Sequence, residues 1–178
     1  MKTSTAKKRS ARPPSSPQHR ELLRSASVFL GLFILFELAV AVAPRRILQP
    51  LVVFTTWSGG KLAALSGAPA TISGNAILVG PHTLVISLEC TAAYLIGMYA
   101  ALVLSQRARI GQKGTALILG VPVIMAANLV RLAAAAHISV LLPAYFDLLH
   151  DYLFQGLLVL LVAGLWALWL SEVRPRER

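Results

Sequence analysis

Four long apolar runs dominate the order of residues along the chain, and the segments between them are polar, basic or only moderately apolar. A transmembrane α-helix needs about 20 mainly apolar residues to cross the roughly 30 Å hydrocarbon core of a bilayer. The runs predict four spans of about that length, at 25–43, 88–104, 115–142 and 152–170. The second span is short, and the third is long enough to tilt.

The overall composition agrees with a membrane protein. Hydrophobic residues make up 56% of the 178 residues and charged residues only 13%. That balance is too apolar for an ordinary soluble domain of this length.

The basic residues indicate how the spans are oriented. The formal net charge is +10, but Lys and Arg cluster beside the apolar runs: seven of 17 precede residue 25, three lie in 105–114 and three in 171–178. Basic residues next to spans mark the cytoplasmic side of a membrane, so we expect both termini to be cytoplasmic. This pattern favours contact with a lipid bilayer and argues against a nucleic-acid-binding surface.

The same pattern divides the chain into three parts. Residues 1–24 are basic and rich in Pro and Ser, which predicts a disordered cytoplasmic tail. Residues 25–170 form the predicted membrane-embedded domain, and 171–178 form a short basic cytoplasmic tail. No small-residue cleavage site clearly follows the first run, so we interpret it as a retained span and not as a signal peptide.

The loop 44–87 is the ambiguous stretch. Residues 47–65 are moderately apolar but contain Pro50 and Lys61, and a fifth span here would move the downstream basic loops to the outside. We therefore interpret 47–65 as an interfacial helix with Trp57 near the headgroups.

The β-branched runs that follow this helix are split by Gly74-Asn75 and Gly80-Pro81, which predicts a small β-hairpin. The predicted fold is an all-α membrane protein. It consists of a four-span helical bundle with both termini cytoplasmic, plus an extracytoplasmic loop that carries the interfacial helix and the hairpin.

Three residues whose side chains are reactive or charged fall at matching depths of different spans. Counted from the cytoplasmic ends at about 1.5 Å per residue, Cys90 lies about 22 Å, Arg131 about 24 Å and His150 about 31 Å across the membrane. All three are therefore expected near the outer interface. A lone Cys is commonly an apolar filler and a His at a span mouth can simply face water, but an Arg inside a span is costly enough to indicate pairing or function.

A thiol, a guanidinium and an imidazole in one layer suggest a covalent active site. Cys90 is the only cysteine, so it has no partner for an intramolecular disulfide. We interpret it as the nucleophile, with His150 returning a proton to the leaving amine. Arg131 would act as a fixed cation beside the thiolate or the oxyanion.

Neighbouring polar residues are candidates for supporting roles. Asn128 lies one turn before Arg131 and is positioned to orient it or to donate to the oxyanion. Glu89 and Asp147 are candidates for holding Arg131 or His150 in place, with plain interfacial solvation as the alternative. No metal-ligand spacing, phosphate loop or dinucleotide fingerprint is present, so neither a metal nor a cofactor is predicted.

Three short stretches carry a resemblance to a known family: Glu89-Cys90-Thr91, Asn128-Leu129-Val130-Arg131 and Phe146-Asp147-Leu148-Leu149-His150. In order and spacing they resemble the motifs of the exosortase/archaeosortase family of multi-span membrane cysteine transpeptidases. The resemblance covers about residues 45–170, and the short chain looks most like the compact exosortase H type. One departure is Ala92, which stands where the family often has Gly.

The resemblance implies a membrane-embedded cysteine protease or transpeptidase in the plasma (inner) membrane, with its active site on the extracytoplasmic side. Its partners would be exported proteins that end in a sorting signal made of a short motif, a transmembrane run and a basic tail. The enzyme would cut this signal and transfer the acyl group to a surface acceptor. The roles implied for Cys90, Arg131 and His150 coincide with those inferred from depth.

Two other functions remain open from the sequence. A haem- or quinone-binding electron-transfer bundle could use His137 and His150 as axial ligands. That function does not explain the presence of Cys90 and Arg131. The other is an accessory membrane protein without chemistry of its own.

The predicted orientation can be tested by labelling with a membrane-impermeant thiol reagent. Single reporter cysteines placed in a Cys90→Ala chain should react from outside at His82 and Ala144. A reporter at Gln112 should react only after the membrane is permeabilised, because the positive-inside rule places it in the cytoplasm. External labelling at Gln112 would reverse the topology.

Overall fold

The computed structural model describes residues 17–173, and this part of the chain is mostly helical. Its α-helices are α1 (Pro17–Val42), α2 (Arg45–Leu65), α3 (Ala93–Ser105), α4 (Ile110–Leu141) and α5 (Gln155–Val173). Its strands are β1 (Ala70–Ser73), β2 (Ala76–Val79) and β3 (His82–Val85). Two 3₁₀ turns, Leu88–Cys90 and Pro143–Tyr145, and a π-helix, Leu148–Phe154, complete the chain.

The helix α1 begins at Pro17, so the last residues of the predicted tail 1–24 are helical. The rest of that tail, residues 1–16, lies outside the described residues. At the other end, α5 continues to Val173, and the remainder of the predicted tail 171–178 is likewise outside them.

Three of the helical segments are long and apolar enough to cross a membrane: His19–Val42, Ile110–Leu141 and Leu148–Val173. They correspond to the first, third and fourth predicted spans. The segment predicted as the second span is different, because α3 has only 13 residues and a length of about 20 Å. Four full-length spans are therefore not found in the described part of the chain.

The side chain of Thr91 explains why α3 starts late. Its hydroxyl donates to the carbonyl of Leu88 at 2.7 Å and accepts the backbone N–H of Ala93 at 3.2 Å. A threonine that accepts an N–H just inside a helix supplies one of the hydrogen bonds that the first turn lacks, and so favours a helix start there. The predicted helix is consequently split into a 3₁₀ turn that holds Cys90 and a shorter α-helix.

The short helix α3 lies among the long ones and contacts α1, α4 and α5. Gly97 faces the ring of Phe36 on α1, and Gly120 on α4 faces the ring of Tyr99, whose hydroxyl donates to the carbonyl of Ala116 at 3.1 Å. Small residues at such positions let helices approach closely in a membrane. Because its neighbours surround it, α3 does not have to match the thickness of the lipid by itself.

The helix α2 packs against α4 through a face of small residues. Gly59 contacts Leu132 of α4, and Gly60 contacts Ile72 of β1. The opposite face carries the exposed side chains of Phe54 and Trp57. The structure thus has a helix where the sequence predicted one at 47–65, and its place at the membrane interface remains a prediction.

The sheet has three antiparallel strands in the order β1-β2-β3, whereas the sequence predicted a hairpin of two. Both glycine-containing turns are used, with Gly74 at φ 60° and Gly80 at φ 56° in the left-handed region. Each tight turn joins a pair of strands, so two turns give three strands. The sheet is buried against α2 and α4 through Ile77, Val79 and Ile86.

A matched pair of glycine substitutions on α4 tests the packing of α3. Gly120→Ala places a methyl group against the buried Tyr99 ring, which should cost about 1–3 kcal/mol and exceed the gain of about 1 kcal/mol in helix propensity. Gly114→Ala gains the same propensity in open space. In detergent, we expect the melting temperature to fall for Gly120→Ala and to stay or rise for Gly114→Ala. Equal melting temperatures would contradict this packing.

Candidate active site

Three separate elements bring Cys90, Arg131 and His150 to one region. Cys90 ends the 3₁₀ turn before α3, Arg131 lies on α4, and His150 lies in the π-helix that leads into α5. Each of these elements is at the same end of the helix bundle, opposite the connection between α3 and α4. The depth argument from the sequence therefore agrees with the observed arrangement.

Arg131 and His150 are in direct contact. Nη2 of Arg131 lies 3.5 Å from Nε2 of His150 and 3.5 Å from its carbonyl oxygen. Only 8% of Arg131 is exposed, so this guanidinium is held inside the protein. A buried cation needs polar partners, and the ring and backbone of His150 supply two of them. Arg131 is also near enough to Cys90 and Asp151 for Coulomb attraction.

The imidazole of His150 is oriented from two sides. Its Nδ1 lies 2.8 Å from Oδ1 of Asp151, and its ring stacks on that of Phe146 with centroids 5.2 Å apart and an interplanar angle of 9°. A proton on Nδ1, donated to Asp151, leaves the lone pair on Nε2. Nε2 is the nitrogen on the Arg131 side.

Asp151 occupies the place for which the sequence suggested Asp147. Asp147 is exposed and makes no hydrogen bond or ion pair with His150 in the described structure, so its supporting role remains a prediction. In the sequence, only the position of Asp151 directly after His150 could have indicated that this carboxylate contacts the histidine. In an ordinary α-helix, adjacent side chains diverge by about 100°, so such a pair is not expected to meet.

Cys90 and His150 line the same cavity, which has a volume of about 160 Å³. At about 30 Å³ per water, this space holds roughly five water molecules or a small side chain. The other lining residues are Leu132 and Ala135 of α4, Phe146, and the consecutive residues Thr83, Leu84, Val85 and Ile86. The half-buried thiol is therefore accessible from the space that the imidazole borders.

The thiol itself is near Ser87, a residue that the sequence did not single out. The distance from Sγ of Cys90 to Oγ of Ser87 is 3.6 Å, and no hydrogen bond joins Sγ to His150 in the structure of residues 17–173. Contacts between catalytic groups are often long in a ligand-free site and shorten when substrate binds. Ser87 also hydrogen-bonds the exposed Glu89 and thereby lowers the pKa of that carboxyl group.

Asn128 connects α4 to the cysteine turn. Its Nδ2 donates to the carbonyl of Cys90 at 3.0 Å, and the residue is only 1% exposed. Its Oδ1 and the Nε of Arg131 are buried without a hydrogen-bond partner among the described residues. Native structures leave few such atoms, so two of them on residues that contact Cys90 and His150 indicate that the site can accept further polar groups.

The two histidines that a haem-binding bundle would use as axial ligands contact other side chains instead. Nε2 of His137 lies 2.9 Å from the hydroxyl of Ser66 on α2, whereas His150 contacts Arg131 and Asp151. The described residues contain no group of three or more His, Cys, Asp or Glu side chains that could hold a metal ion. These contacts give the electron-transfer alternative no specific support.

The fold and the site define a multi-span membrane protein with a cysteine, an arginine and a histidine at one end of its bundle. A family model for transmembrane exosortases (Exosortase_EpsH) matches residues 18–170. Since this match covers most of the chain, the protein belongs to the transmembrane exosortase family. No curated protein and no solved structure matches the chain.

Proposed function

We propose that this exosortase is a cysteine protease and transpeptidase that cleaves the C-terminal sorting signals of exported proteins at the outer face of the plasma (inner) membrane. The observation that carries the proposal is the contact of Arg131 with His150, which lines the same cavity as Cys90. A buried cation, an oriented imidazole and an accessible thiol are the groups that acyl transfer by cysteine requires.

In the first step, the thiolate of Cys90 attacks the carbonyl carbon of the scissile peptide bond. The thiol proton passes to Nε2 of His150, whose Nδ1 proton is held by Asp151. Negative charge develops on the former carbonyl oxygen, and Arg131 is the nearby cation that stabilises it. His150 then donates its proton to the leaving amine, the C–N bond breaks, and a thioester on Cys90 remains.

In the second step, a surface acceptor attacks the thioester. An acceptor amine or hydroxyl loses its proton to His150, the C–S bond breaks, and the acyl group is attached to the acceptor. Water in the same position gives hydrolysis instead. The exported protein is released from its membrane anchor in either case.

The basic residues at the other end of the bundle support the proposed outer location of the site. Arg107, Arg109 and Lys113 surround the connection between α3 and α4, and the Nζ of Lys113 donates to the carbonyl of Leu104. Basic residues beside spans favour the cytoplasmic side. Cys90, Arg131 and His150 are at the opposite end, where an exported protein that is still anchored by its C-terminal span would present its cleavage motif.

Removal of the thiol tests the proposed nucleophile. Cys90→Ala should abolish cleavage of a reporter whose C-terminus carries a short motif, an apolar span and a basic tail taken from an exported protein of the same cell. The protein should still insert and fold, because replacing a thiol by a hydrogen removes little volume. Cys90→Ser should be nearly as inactive, since a hydroxyl is much less acidic than a thiol. Normal cleavage by Cys90→Ala would favour the accessory, non-catalytic role.

Conservative replacement of the arginine separates planar donor geometry from charge. Arg131→Lys keeps the cation but loses the planar guanidinium, which can contact His150 through Nη2 and still offer its other N–H groups to the oxyanion, so the cleavage rate should fall about 10²–10³-fold. His150→Ala should be similarly impaired, and the double variant should be little worse than either, because members of one catalytic unit are not additive.

The control for the histidine is His137→Ala, which removes an imidazole that lies outside the cavity. It should cleave the reporter at the wild-type rate. Full activity of Arg131→Lys together with an inactive His150→Ala would restrict the mechanism to Cys90 and His150.

A further inference from the structure

The wall of the Cys90 cavity includes consecutive residues of strand β3 and the residue that follows the strand. Four consecutive residues, Thr83 to Ile86, line it together. Neighbouring side chains in a strand point to opposite faces of the sheet, so neither face alone could provide all four. The cavity must therefore run along the edge of β3.

This edge is open. The strand order β1-β2-β3 gives β3 a partner on one side only, in the described structure. The N–H of Ile86 donates to the carbonyl of Asn75 at 2.8 Å, and therefore points toward β2. Because these groups alternate along an antiparallel strand, the N–H and C=O groups of Thr83 and Val85 point away from β2, toward the open edge.

At the other side of the sheet, α2 packs on one face, where the side chains of Ile72 and Ile77 lie against Gly60. Proteins normally cover or shorten exposed strand edges because unpaired backbone groups pair readily with another chain. The open edge here is instead continuous with the cavity that contains the thiol of Cys90 and the ring of His150.

We propose that the cleavage motif of the sorting signal binds in an extended conformation as a fourth strand on the open edge of β3. The N–H and C=O groups of Thr83 and Val85 form hydrogen bonds with its backbone. This inference rests on the proposed function and names how the same site holds its substrate.

Strand addition suits the substrate that the site requires. An extended peptide exposes donors and acceptors with a period of two residues, which is the spacing of Thr83 and Val85. Backbone pairing fixes the scissile carbonyl relative to Cys90 independently of the motif's side chains. The exposed side chain of Val85, at 62%, and that of Thr83 are on one face, where they can contact alternate residues of the motif.

Disulfide cross-linking tests the pairing without catalysis. Cys90→Ala gives a cysteine-free chain, since Cys90 is the only cysteine, and Thr83→Cys or Val85→Cys is then added. The reporter described above carries single cysteines at successive positions of its motif. Paired strands bring facing Cα atoms to about 5.5 Å, which suits a disulfide.

We expect cross-links at every second motif position, and a shift of two motif positions when the enzyme carries Val85→Cys in place of Thr83→Cys. The matched control is Thr71→Cys, an exposed residue on β1, the edge strand that does not line the cavity, which should not cross-link. Cross-links without alternation, or equally strong ones at Thr71, would overturn the strand model.

Proline at the open edge provides a second test in the active enzyme. Val85→Pro removes an N–H that points away from β2 and leaves the β2–β3 ladder intact. Cleavage should fall about tenfold more than for Val85→Ala, which keeps the N–H, while alkylation of Cys90 by iodoacetamide should be unchanged in both variants.

The two proposals fail in different ways. If the wild-type enzyme does not cleave the reporter, the proposed function fails. If the wild-type enzyme cleaves it, but Val85→Pro matches Val85→Ala and the cross-links do not alternate, only strand addition is wrong.

Discussion

The burial of the Arg131 guanidinium constrains the whole end of the bundle that carries Cys90. A cation within an apolar bundle is costly unless polar groups surround it, and here the groups come from a different helix. Its contacts with the ring and the carbonyl of His150 tie α4 to the π-helix before α5. One turn earlier, Asn128 ties the same helix to the carbonyl of Cys90. Side chains of α4 therefore set the separation of the elements that carry the thiol and the imidazole.

The rest of the bundle keeps this arrangement in place by close packing together with a few hydrogen bonds between helices, such as that from Tyr99 to Ala116. Gly97 and Gly120 admit aromatic rings from neighbouring helices, so that the short helix α3 is enclosed. Gly59 and Gly60 bring α2 and the sheet onto the half of α4 that carries Arg131 and Leu132. The strand β3 at the cavity wall therefore belongs to a sheet that packs against α2 and α4. Such packing holds the strand edge in a fixed position, as a peptide-binding site requires.

Much of this could be predicted from the sequence. Apolar run length identified three of the segments that can cross a membrane, and counting depth placed Cys90, Arg131 and His150 together. The late start of α3 was missed, because it depends on the two hydrogen bonds of the Thr91 hydroxyl and not on hydropathy. The third strand was missed because both glycine-containing turns were assigned to one hairpin. Asp151 and Ser87 were missed because their roles depend on the local backbone geometry that brings each to its neighbour.

The π-helix Leu148–Phe154 has a consequence for how the site can vary. A π-turn accommodates one more residue than an α-turn between the same flanking helical segments. Deleting a single residue from this stretch would allow it to become α-helical with the flanking segments unchanged, but residues within the stretch, His150 among them, would point in a new direction. The direction of the His150 ring is thus encoded in the number of residues as well as in their identity. Insertions and deletions in this segment should be far less tolerated than substitutions of its exposed apolar side chains.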